Sequence, residues 1–167
     1  MSMKNNYIYQ EFETYLNSCK PFEKTYIEQR LIAQIIWYDK NSIKKQKYYK
    51  RLTIVSIVLT SFIPIFSLFT RYKYGIIANI VITACSASSA AILSIINLCE
   101  YHKLWVEYRS TCEILKSILH RYFMRSNEFN SSDDNENLNL LISLCEEYMT
   151  KEFQTWTQLS HEYKKEQ

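Results

Sequence analysis

Between Leu52 and Cys99 the chain runs for 48 residues with only two charged side chains, Arg71 and Lys73. No other feature restricts the fold as strongly. The two cations divide the stretch into an 18-residue run, Leu52 to Phe69, and a 26-residue run, Tyr74 to Cys99. At a helical rise of about 1.5 Å per residue these reach roughly 27 and 39 Å, against a bilayer hydrocarbon core of about 30 Å. The longer run is therefore expected to tilt or to emerge beyond the headgroups. Residues 70–73 alone separate them, so the two spans are predicted to form an antiparallel hairpin. A soluble helix of this length normally keeps one polar face. Here the polar positions are Ser, Thr and Asn.

The mean hydropathy of -0.25 averages over unlike parts. The net charge of +3 is distributed as +5 over residues 1–51, +2 over 52–99 and -4 over 100–167, and no segment is basic enough to argue for nucleic acid. One glycine and two prolines leave little turn chemistry, so long helices are expected and strands are not. The five cysteines are widely spaced with no C-x-x-C pair, which argues against a disulfide framework or a zinc site. The first 20 residues lack an apolar signal-peptide core, so insertion is expected to use the internal runs. Lys40, Lys44, Lys45, Lys47, Lys50 and Arg51 precede the first span with no acidic residue after Lys40, which predicts that both termini are cytoplasmic. The same cluster, Lys44, Lys45 and Lys47 above all, is a candidate for anionic lipid or a nucleotide ligand. There is no Gly-rich phosphate loop, and His102, His120 and His161 are far apart. Neither catalysis nor a cofactor or metal is expected.

Within the second span Asn79, Thr83, Ser86, Ala90, Ser94 and Asn97 recur at intervals of three and four, one helical stripe. Thr53, Ser56, Thr60, Pro64 and Ser67 form a stripe on the first. Two meanings compete. Small and hydroxylated residues permit close helix packing, and Ala84 with Ser88, and Ala87 with Ala91, fit the small-xxx-small pattern. Alternatively, several copies turn the Asn79 to Asn97 stripe toward a wet lumen. A two-helix hairpin cannot enclose a pore alone, so that reading requires a homo-oligomer, with a tetramer the most economical choice. Neither stripe contains an ionisable group, which argues against proton pumping or voltage sensing. Pro64 cannot donate to the carbonyl of Thr60, so a kink and a candidate hinge are placed there.

Outside the spans, a helical pattern from about Phe22 through Tyr26, Leu31, Ile35 and Tyr38 runs toward the first span. A second, through Leu104, Tyr108, Leu115, Leu119 and Tyr122, continues from the second span. After a polar break at 126–135, Leu138, Leu141, Cys145, Tyr148, Trp156, Leu159 and Tyr163 restore the spacing, with Asp134 or Asn135 as the expected cap. The expected architecture is all-α: N-terminal cytoplasmic helices at 1–51, the hairpin at 52–99 with spans 52–69 and 74–99, and a C-terminal cytoplasmic bundle at 100–167.

The segment YIEQRLIAQIIWYDK, the Ile63–Pro64 pair, LWVEYRSTCEILK and the Glu152/Trp156 spacing resemble the SLATT family, also catalogued as DUF4231, over roughly residues 22–160. The elements that carry the likeness are Tyr26, Arg30, Trp37, Tyr38, Leu104, Trp105, Tyr108, Arg109, Glu113, Leu115 and Lys116. Where the family often has an acidic residue after the Lys116 position, this chain reads Ser117-Ile118-Leu119, a departure that bears on the subgroup. The resemblance implies a bacterial antiphage effector of the inner membrane, associated with SMODS and SLOG nucleotide-signalling systems. It would be triggered by a nucleotide or oligonucleotide signal from a partner nucleotidyltransferase-type enzyme, and would permeabilise the membrane and arrest growth. Arg30 and Arg109 are expected as interhelical ion-pair partners of Glu113 or Glu28, and Arg109 also as a candidate ligand contact. The competing expectation is a non-conducting membrane anchor whose cytoplasmic helices recruit a partner protein.

Overall fold

The computed structural model describes residues 6–71 and 75–165, with side chains as far as Thr150. Lys73, Glu152, Trp156, Leu159, His161 and Tyr163 lie outside the described side chains. The described residues are 90% helical, without strands. In order they form α1 (Tyr7–Leu16), α2 (Pro21–Tyr26), a π-helical turn (Ile27–Ile32), α3 (Ala33–Ser67), a 3-10 turn (Leu68–Arg71), α4 (Gly75–Leu98), α5 (Tyr101–Phe123), a 3-10 turn (Asn127–Phe129) and α6 (Asp134–Lys165). Two compact units result: one joins the chain up to Lys40 with the chain from Tyr108, the other is Asn41–Glu107.

The first unit is an apolar-cored bundle. Helix α1, which begins upstream of the helix expected from about Phe22, starts where the Asn6 side chain accepts the Ile8 N–H at 2.9 Å, an ordinary N-cap. Its Ile8, Tyr9, Phe12 and Leu16 repeat at helical spacing and are buried against Ile27, Leu31, Ile35, Leu115, Leu119 and Leu141. Each such aliphatic side chain contributes about 1.5–3 kcal/mol by leaving water. Pro21 begins α2, and the Lys20 N–H donates to Glu23 Oε2 at 3.3 Å. The chain then passes through the π turn into α3, so the expected continuation toward the first apolar run holds, with one widened turn inside it. Phe129, from the polar break, is fully buried and closes the core.

Two local expectations are corrected. Helix α6 is capped by Asp133, whose carboxylate accepts the Asn135 N–H at 2.8 Å, rather than by Asp134 or Asn135. Asp134 instead takes Lys20 at 3.0 Å and Arg125. Arg30 pairs with Glu146 of α6 through two bonds of 3.0 and 2.9 Å, not with Glu28, which accepts the Tyr9 hydroxyl at 2.6 Å. Arg109 does meet Glu113, at 2.6 Å, but along its own helix; its interhelical partner is Asp39 at 2.9 Å. Residues that carry the family likeness therefore fasten the bundle: Trp37 lies edge-on to Tyr108, and Lys116 reaches Glu11 at 3.0 Å.

The second unit contains most of α3, all of α4 and the start of α5. Helices α3 and α4 are long and apolar enough to cross a membrane. Their apolar side chains face outward: Ile54 is 60%, Ile57 59% and Ile76 79% exposed. A soluble protein's core helix would bury most of such a segment, whereas only 6% and 11% of the most apolar windows are buried here. Helix α4 does not run unbroken into α5 as expected. It ends at Leu98, and Glu100 adopts a left-handed φ of 43° before α5 begins.

Candidate functional site in the apolar hairpin

The two helices meet along a seam. On α3 Leu52, Ser56, Leu59, Ile63 and Phe66 are shielded, and on α4 Ala78, Ile82, Cys85, Ser89, Ile92 and Ile96. Both sets advance by threes and fours, the spacing that keeps one helical face against a partner. At its centre Ser89 Oγ lies 2.9 Å from Ser56 Oγ and 3.0 Å from Thr60 Oγ1, while Thr60 donates to the Ser56 carbonyl at 2.8 Å. Ser56 and Ser89 are buried at 4% and 6% exposure. Three hydroxyls thus satisfy one another inside the seam, where small side chains let the helices approach.

Ser56 and Thr60 belong to the stripe expected on the first span. Ser89 belongs to neither stripe, because polarity alone does not reveal which face meets the partner helix. Of the remaining stripe residues Thr53 is half-buried, and Pro64 and Ser67 are exposed. Helix α3 continues past Pro64 to Ser67, whose hydroxyl donates to the Pro64 carbonyl at 2.7 Å.

The second-span stripe lies elsewhere. Asn79, Thr83, Ser86, Ala90, Ser94 and Asn97 are all exposed, and all but Ser94 directly follow a seam residue. They therefore occupy the face about 100° around from the seam. Ala84, Ser88, Ala87 and Ala91 are exposed too. Thr83 and Ser94 return their hydroxyls to carbonyls of their own helix, Asn79 and Ala90, each at 2.9 Å. The amides of Asn79 and Asn97 have no partner among the described residues, and 18 residues of helix set them about 27 Å apart.

The ligand candidates do not gather. Lys44 and Lys47 are exposed, and Lys45 Nζ stands 5.4 Å over the Tyr101 ring. Arg109 belongs to the other unit and is engaged by Asp39 and Glu113. Burial opposes its charge, but the neighbouring acids outweigh it and hold the guanidinium above its ordinary pKa. Burial drives the thiols of Cys19 and Cys145 up to about 12 and that of Cys112 to about 11, which makes all three unreactive near neutrality. No cluster of metal-ligating side chains exists among the described residues.

The model of one family, described as a protein of unknown function (DUF4231), matches residues 33–137, which takes in the hairpin and part of the bundle. Compared with curated proteins and with solved structures, the chain finds no match.

Proposed function

We propose that this chain, which belongs to the DUF4231 family, is a membrane-inserted effector whose copies assemble into an ion-conducting pore. The observation that supports it is the outward-facing apolar surface of α3 and α4, interrupted on α4 by one exposed face of small and amide side chains. In lipid the apolar residues need no cover, and the backbone is satisfied within each helix. The amides of Asn79 and Asn97 do need partners. A ring of copies supplies them, with Asn97 and Asn79 at the two mouths and the small residues between them along a narrow lumen. A homo-tetramer is the working assembly.

The basic run before the first span sets both termini on the cytoplasmic side of a bacterial inner membrane. There the bundle receives a nucleotide or oligonucleotide signal made by a nucleotidyltransferase-type enzyme, and its repacking opens the pore and arrests growth in defence against phage. This part of the proposal rests on the family likeness. The chain is not an enzyme in this reading. A second reading, a non-conducting anchor that recruits a partner protein, is favoured by the way Thr83 and Ser94 satisfy their own hydroxyls, since such a face also tolerates lipid.

Flux distinguishes the two. Protein reconstituted in liposomes should dissipate a potassium diffusion potential, and Asn79→Leu with Asn97→Leu should reduce the rate severalfold while cross-linked oligomers persist. Assembled wild-type protein that never conducts, with or without cyclic oligonucleotides, would leave the anchor.

A further inference from the structure

At the end of α4 the backbone leaves the helix through the left-handed Glu100. Beside this break, wholly within the hairpin unit, lies a cleft of about 400 Å³ between α3, the last turns of α4 and the start of α5. Its lining changes character along its length. Leu93 and Ile96 come from the apolar run, whereas Glu100 and Lys103 come from the charged segment that follows. Tyr49 and His102, ring centroids 5.1 Å apart and edge to face, close one side.

Two observations indicate that the cleft is chemically incomplete in the isolated chain. Thr53 is part of its wall, and its hydroxyl is buried without a partner among the described residues. Thr60 and Thr83, by contrast, donate to the carbonyl four residues back, as helical threonines usually can. The Glu100–Lys103 pair is loose at 3.6 Å, with 34% and 43% of the side chains exposed, so separating it costs little. The cleft thus presents opposite charges side by side at its wet end and aliphatic surface at the other.

We infer that this cleft holds one phospholipid whose headgroup carries both a phosphate and a primary ammonium. Lys103 meets the phosphate and the Glu100 carboxylate accepts from the ammonium. The Thr53 hydroxyl serves an ester oxygen, and an acyl chain lies along Leu93 and Ile96. An anionic headgroup without an ammonium would set phosphate against Glu100, and a quaternary ammonium offers that carboxylate no N–H. The inference rests on the membrane reading proposed above.

The full chain would be reconstituted in vesicles with equal parts of ethanolamine, glycerol and choline phospholipids of identical acyl chains. Lipid retained on the purified protein would then be identified by native mass spectrometry. Ethanolamine lipid should be retained severalfold above its share. Glu100→Gln with Lys103→Gln should return retention to the input ratio with helix content unchanged, and Leu93→Trp, which fills the aliphatic end, should do the same. Retention at the input ratio, enrichment of either other headgroup, or enrichment that survives the charge variant overturns the inference while the membrane reading stands. Protein that fails to float with vesicles overturns both.

Discussion

A methyl group at Gly75, the single glycine, would run into the Thr70 carbonyl oxygen, where no Cβ can sit. The obstacle is backbone, so the turn itself must move. Gly75→Ala should therefore cost about 1–3 kcal/mol of hairpin stability, in the range of other overpacked sites. Unfolding in detergent measures it, and an unchanged midpoint would mean that the turn yields freely. The position was legible in the sequence, since the one glycine stands two residues after the 70–73 link. Ser89 was not. It sits among Ser86, Ser88 and Ala90, and only the register of α3 against α4 selects it over its neighbours. The stripe from Asn79 to Asn97 was legible as a face because spacing alone defines one, but its place beside the seam was not.

At the scale of elements the apolar helices were legible, since charge-free runs of that length leave few alternatives, whereas α1 and the π turn were not. Helix α1 mixes acids and tyrosines with its apolar positions, and its burial depends on a core assembled from distant segments. No residue preference announces a π turn; here it carries Arg30, which reaches Glu146 on α6. That bond, more than any other influence, holds the Glu146 carboxyl below its ordinary value. At Glu11 burial pushes the other way, but hydrogen bonds from Lys116 and His120 outweigh it and the pKa is again lowered. A lowered carboxyl stabilises the fold above the unfolded value of about 4.3, and the contribution is lost as pH falls through the folded value. Thermal melting followed by circular dichroism should hardly change from about pH 7 to 5 and should fall below about pH 4. Glu146→Gln should lower the midpoint at pH 7 by about 1–3 °C, a surface-pair magnitude, and narrow the gap between neutral and acid. An acid loss identical to wild type would show that the pair contributes nothing.

For the whole molecule the proposed topology leaves one externally accessible pair of tryptic sites, Arg71 and Lys73, because every other Lys and Arg lies before the first span or after the second. Trypsin added outside spheroplasts should cut the chain once, near residues 71–73, and the fragments should resist extraction at alkaline pH. Cleavage at the Lys40 to Arg51 cluster from outside would reverse the orientation, and extraction into the supernatant would remove the membrane. The hydroxyls of α3 and α4 extend the argument beyond a single copy. Ser61 donates to the Ile57 carbonyl and Ser67 to that of Pro64, just as Thr83 and Ser94 do within α4. These hydroxyls ask nothing of a sibling, which leaves the amides of Asn79 and Asn97 as the groups that do. Dilution would then scatter the copies, and those two amides, about 27 Å apart along one helix, would set the register in which they reassemble.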